Sequence, residues 1–148
     1  MGPVYDSFTA GREPGRESTG HATPPSPAEI VGPMPANLFL QAGTSSVDKM
    51  IRSTKLGLYI TRFWYTRVVH PRDAVITGMT RDGTFVVKNG EIAYPVKSLR
   101  FTQSYVEALK NTVAIGADPL ALWSEYLVSA TTVPAIKIDG FRFTSETR

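Results

Sequence analysis

The dipeptide Asn89-Gly90 constrains the fold of this chain more than any other feature. Both residues tolerate the positive φ of a tight hairpin turn, and such turns match the twist of the strands they join. Thr84 to Lys88 before it and Glu91 to Val96 after it read as those strands. Upstream, Arg81-Asp82-Gly83 reads as a second turn that receives a strand over Ala74 to Thr80. Residues 74–97 are therefore expected to form an antiparallel meander. Pro95 cannot donate to a sheet ladder, so it predicts an edge or a strand end.

Around the meander, Asn37 to Gln41 reads as a short strand ended by Gly43, and Thr44-Ser45-Ser46 offers an N-cap. Val47, Met50 and Ile51 follow at helical spacing. Leu58 to Val69 is rich in β-branched and aromatic residues and predicts a long strand. Ser104 to Val113 reads as a second helix, with Tyr105, Ala108, Leu109 and Thr112 on one face. Leu120 to Leu127 fits helix or strand. Val133 to Phe143 alternates apolar and polar residues and predicts a closing strand. The expected class is α+β: mostly antiparallel β, a meander with barrel-like closure as one of its forms, and two short helices.

Residues 1–36 differ. They hold seven of the eleven prolines. Pro24-Pro25-Ser26-Pro27 cannot run as a helix or a central strand, because proline lacks the amide proton. The expectation is an extended Pro/Gly-rich arm over 1–36 and a β-rich domain over 37–148. A start inside such an arm suggests that a longer protein lies upstream. The arm carries two basic and four acidic residues, and the remainder fourteen basic and nine acidic. So mild an excess is ordinary for a solvated surface.

Several chemistries lack their residues. A catalytic zinc needs about three protein ligands, and this chain has His21, His70 and no cysteine. Neither histidine has a second histidine at helical spacing. The Gly-x-Ser-x-Gly elbow, the phosphate loop and the dinucleotide fingerprint are all missing. Without cysteine there are no disulfides within the chain, which fits a reducing compartment. No apolar run approaches the roughly 20 residues of a membrane helix, and Met1-Gly2-Pro3 does not open a signal peptide. A cytoplasmic protein without membrane contact is expected.

Two segments could bind something. Arg62 to Arg67 (RFWYTR) mixes guanidiniums and rings. On a strand, Arg62, Trp64 and Thr66 face one side and Phe63, Tyr65 and Arg67 the other. Dividing the aromatics this way favours core or interface packing over a nucleic-acid surface. In the arm, Arg16-Glu17-Ser18-Thr19-Gly20-His21 combines small polar residues, a permissive glycine and an imidazole that can donate or accept a hydrogen bond, which fits a turn with a surface histidine or a binding element. Ser18, Thr19, Gly20 and His21 are the candidate peptide or interface residues. Tyr94, beside Pro95, is a second candidate at a sheet edge.

The residues also resemble a known family. Tyr5-Asp6-Ser7-Phe8-Thr9-Ala10, Glu17-Ser18-Thr19-Gly20-His21-Ala22 and Asn37-Leu38 before Gly43 resemble the C-terminal half of TldD/PmbA proteins. So do residues 55–67 (KLGLYITRFWYTR), Gly78-Met79-Thr80-Arg81-Asp82-Gly83-Thr84-Phe85 and Asn89-Gly90-Glu91-Ile92. Pro95-Val96-Lys97 and Val133-Pro134-Ala135 follow in the same order. The resemblance implies metallopeptidases acting on unfolded or extended peptides, also called modulators of DNA gyrase. It implies a TldD-type subunit with His-Glu-x-x-x-His in its N-terminal half and a cysteine as third zinc ligand near its C-terminal end. A PmbA-type (TldE-type) partner lacks these and completes a dimer. Here residues 124–132 (SEYLVSATT) contain no cysteine, which resembles the PmbA-type branch. The expectation is a C-terminal domain without its own catalytic or metal residues and with no cofactor. It would help to form a dimer, with a TldD-type subunit or itself, and an extended-peptide channel, while zinc sits in the TldD-type partner. The competing expectation is a binding module outside proteolysis, regulatory or for nucleic acid.

Overall fold

The computed structural model describes residues 3–23, 32–35, 37–123 and 130–146. The run Pro24-Pro25-Ser26-Pro27 lies outside them. The chain divides into two compact units, residues 1–40 with 120–133, and residues 41–119 with 134–148.

The second unit is built on one long ribbon. β2 (Leu56–His70) pairs antiparallel with β3 (Val75–Lys88). The first part of the free edge of β3 takes β5 (Leu99–Ser104), and the last part takes β4 (Glu91–Pro95). β10 (Phe143–Glu146) adds to β5, giving the order β10-β5-β3-β2 with β4 beside β3. The end strands do not pair with each other, so the sheet is open and no barrel closes among the described residues. β6 (Thr112–Ile115) and β9 (Ile136–Ile138) form a separate antiparallel pair.

The Asn89-Gly90 turn forms as expected, with φ of 49° and 85°. Glycine is required there, because a Cβ on Gly90 would stand 2.7 Å from the Arg52 carbonyl oxygen. The Arg81-Asp82-Gly83 turn does not form. β3 runs straight through it, and Asp82 (φ 66°) sits where the register against β2 shifts. The tolerance of aspartate for positive φ serves a bulge rather than a reversal. The chain reverses earlier, where the Ala74 amide donates to the Pro71 carbonyl and Ala74 adopts φ 51°. Pro95 is the last residue of β4, which among the described residues pairs with β3 alone.

The core of this unit is aromatic. Phe101 is fully buried, with Phe63 at 4.6 Å and Phe141 at 5.4 Å between ring centroids. Phe143 continues the stack 5.2 Å from Phe141. Gly78 makes the cluster possible: a Cβ there would lie 2.7 Å from Phe101 Cζ. Below it, the buried Thr84 hydroxyl donates to Thr80 Oγ1 at 2.7 Å, which also accepts the Leu99 amide at 2.9 Å. The start of β5 is tied to β3 by this node.

α2 (Val47–Arg52) appears where expected, with Ser46 as N-cap. α3 (Tyr105–Lys110), capped by Ser104, is shorter than expected: it ends at Asn111, and Thr112 and Val113 pair with β9 as part of β6 instead. At the C-terminal end of α2, Lys137 Nζ donates to Ser53 Oγ at 3.0 Å, Ser53 O at 3.2 Å and Met50 O at 3.3 Å. A cation is favoured there by the helix dipole. The segment expected as one closing strand is divided. β9 ends before Asp139-Gly140, where Gly140 has φ 70°, and β10 begins after it.

In the first unit, β1 (Leu38–Phe39) pairs parallel with β8 (Ala130–Val133), and β8 pairs antiparallel with β7 (Leu120–Trp123). Pairing with β8 settles the ambiguous Leu120 segment as strand over its described part. A third helix, α1 (Ser7–Ala10), lies in the stretch read as extended arm. Asp6 caps it, accepting the Thr9 amide at 2.6 Å.

Candidate functional site

Thr19 organises the first unit. Its backbone amide donates to the Tyr5 carbonyl at 3.0 Å. Its hydroxyl oxygen accepts the Tyr5 amide at 2.7 Å and lies 3.0 Å from the Tyr5 carbonyl oxygen. The same oxygen is 2.8 Å from His21 Nδ1. A hydroxyl has one proton and two acceptor lone pairs, so this geometry fills its capacity. It also holds the His21 ring by one edge, with Nε2 on the other. Gly20 supplies the bend between them at φ 74°, and its amide donates to Ser18 Oγ at 3.2 Å. The His21 carbonyl accepts the Met34 amide at 3.1 Å.

Tyr5 is buried and extends the network away from His21. Its hydroxyl donates to Glu13 Oε2 at 2.9 Å. That bond holds the phenol above its ordinary pKa, with burial adding to it. Arg16 lies 5.7 Å from the Tyr5 ring centroid and 3.8 Å from Glu13. An open cleft of about 550 Å³ is lined by Pro3, Tyr5, Gly15, Arg16, Glu17 and Thr19. Asp6, beside Tyr5, is held below its ordinary pKa by the Thr9 amide.

Ser18, Thr19, Gly20 and His21 are thus brought together, and Tyr5 joins them. Sequence reasoning missed Tyr5 and Glu13 as members. The bonds from Tyr5 to Thr19 span 14 residues, so no local pattern signals them. Tyr94 belongs to the other unit. It is half-exposed on β4, with Lys88 Nζ 5.1 Å from its ring centroid.

Among the described residues no three His, Cys, Asp or Glu side chains gather as metal ligands. Two histidines and no thiolate are a thin donor set for a zinc ion. Nor is any helix among the described residues long and apolar enough to cross a membrane.

Residues 2–145 match the profile of the PmbA/TldA metallopeptidase C-terminal domain. The chain belongs to this family. A metalloprotease TldD homolog from Buchnera aphidicola is 25% identical over 104 residues, covering 70% of this chain. TldE from Thermococcus kodakarensis superposes with a TM-score of 0.77 over 96% of this chain at 15% identity. A protein from Thermotoga maritima described as a modulator of a DNA gyrase gives 0.67 over 92% at 21% identity. At these identities the two structures establish the PmbA/TldD fold alone. The chain spans 21% of the Buchnera relative, 31% of TldE and 28% of the Thermotoga protein.

Proposed function

We propose that this chain is a PmbA-type C-terminal domain that forms part of a dimer contact and one wall of a channel for extended peptides. In this reading residues 1–36 are an arm, residues 37–148 the β-rich domain, and the setting is the cytoplasm. Zinc, and the bond-breaking step, belong to a TldD-type partner. The observation that carries the reading is the family match across residues 2–145. The lack of any cysteine supports the PmbA side of the family.

The proposed contact elements are Ser18, Thr19, Gly20 and His21, with Tyr94 on the β4 edge. Thr19 fixes the His21 ring before any ligand arrives, so little ordering is needed on binding. An imidazole held by Nδ1 offers Nε2 to a peptide amide or carbonyl, according to its tautomer. A strand edge such as β4 pairs with extended backbone irrespective of sequence.

The test is peptide hydrolysis with and without zinc, by this chain alone and mixed with a zinc-bearing TldD-type subunit. Cleavage is expected only in the mixture. His21→Ala should lower it about fivefold, the value of one hydrogen bond of about 1 kcal/mol. Zinc-dependent cleavage by the chain alone would overturn the reading. Salt-sensitive DNA binding without any effect on the mixture would favour a nucleic-acid module instead.

A further inference from the structure

The chain has three asparagines, Asn37, Asn89 and Asn111, and only Asn89 precedes a glycine. An Asn-Gly pair carries a reaction of its own. The glycine has no side chain to hinder its nitrogen, which can close on the asparagine side-chain carbon. In that step the Gly90 nitrogen gives up its proton and bonds to Asn89 Cγ. The Cγ–Nδ2 bond breaks, and ammonia leaves with the proton. Water then opens the cyclic imide. Opening at the side-chain carbonyl leaves aspartate. Opening at the backbone carbonyl leaves isoaspartate, whose main chain runs through an extra methylene. The reaction consumes water and needs no partner molecule.

The fold closes this route at the attacking atom. The Gly90 amide donates to the Thr54 carbonyl at 2.9 Å, and the Asn89 amide donates to the Lys55 carbonyl at 2.8 Å. An amide proton held by a carbonyl is not lost to base until that bond opens. Both acceptors lie just after α2, and this end of the helix is itself tied down. The Thr54 amide donates to the Ile51 carbonyl at 2.9 Å, and the Thr54 hydroxyl to the Met50 carbonyl at 2.8 Å. From β9, Lys137 Nζ donates to Met50 O, Ser53 O and Ser53 Oγ. A continuous set of bonds thus runs from Lys137 through residues 50–55 to Gly90, all within the second unit.

The same contact keeps an isoaspartate product from returning. The amides of residues 89 and 90 meet two successive carbonyls, and an added methylene changes the spacing between those amides. Gly90 has no slack to absorb the change: a Cβ on it would stand 2.7 Å from Arg52 O and 3.2 Å from Arg52 Cα. Isoaspartate would therefore push the turn off the helix end. Beside the turn, Lys88 and Glu91 are the first pair of the β3–β4 ladder, followed by Val87 and Ile92.

We propose that Asn89 is a deamidation site held latent by the end of α2, with Lys137 as its remote latch, so that loosening of that end is converted into a permanent covalent change. This inference does not rest on the peptidase reading and uses none of its residues.

The test incubates the whole chain at mildly alkaline pH, native and in urea. Peptide mass spectrometry follows Asn89, and enzymatic methylation of isoaspartate separates the two products. Deamidation in urea should exceed the native rate by about a hundredfold, because cyclisation in the fold waits for the Gly90 amide to open. Lys137→Met keeps the aliphatic stem and removes the ammonium. It should raise the native rate about tenfold, and hydrogen exchange at the Gly90 amide by the same factor. The isoaspartate form should lose exchange protection along β4, whereas Asn89→Asp should keep it. Equal rates in the native chain and in urea would overturn the proposal. So would an unchanged native rate in Lys137→Met, or an isoaspartate form with β4 fully protected. The urea comparison needs no variant, so it holds even if Lys137→Met unfolds the chain.

Discussion

The two units are held by different forces. Around Phe101 the second unit relies on rings in contact, with Phe63 and Phe141 packed against a side chain that has no exposure. Around Thr19 the first unit relies on one hydroxyl that joins the Tyr5 backbone to the His21 ring. Apolar packing is non-directional and fails by degrees. A polar node is directional, and losing one atom leaves several groups without partners. The ring cluster is therefore suited to bear load, and the Thr19 node to set an orientation.

Substitution should separate the two. Phe101→Ala is expected to have the largest effect, about 3–5 kcal/mol, because it opens a cavity among the other rings. Thermal unfolding followed by circular dichroism would show it. A loss under 1 kcal/mol would mean that the cluster is not the core of its unit. Thr19→Val keeps the shape but removes the hydroxyl. It should cost about 1–3 kcal/mol by stranding the Tyr5 amide, whose hydrogen exchange should accelerate while the amides of β3 keep their protection. Equal acceleration in both units would show that the node supports the whole chain.

The smallest effect concerns Asp6. Its folded pKa lies below that of the unfolded chain because the Thr9 amide donates to the carboxylate. Its contribution is present above the ordinary carboxylate range and is lost as pH falls through the folded value. The Thr9 amide should then exchange faster at acid pH than the intrinsic rate predicts. In Asp6→Asn that extra acid sensitivity should disappear.

Legibility from the sequence followed the range of each interaction. Asn89-Gly90 is legible because both positive φ values belong to adjacent residues. Arg81-Asp82-Gly83 carries nearly the same local signal yet makes a bulge. What decides is the 15-residue strand β2, which is long enough to pair with both sides of it. The helix α1 is hidden by nearby prolines and glycines, although Asp6 and Thr9 are a capping pair. In the candidate site, Gly20 and His21 draw attention by their chemistry. Tyr5 does not, since its role arises only when the chain returns beside it. The split of Phe63 from Trp64 between two faces follows from strand alternation alone, and the Arg81 that meets Trp64 depends on register.

The Lys137 tie has a consequence in time. Its ammonium reaches back 87 residues to the Met50 carbonyl and 84 to Ser53. During synthesis at roughly 5–20 residues per second, the end of α2 leaves the ribosome on the order of ten seconds before that lysine does. In the interval the Met50 carbonyl has the Ser53 and Thr54 hydroxyls as partners, without the ammonium. The nascent chain would therefore carry α2 for some seconds before residue 137 arrives to clasp its C-terminal end.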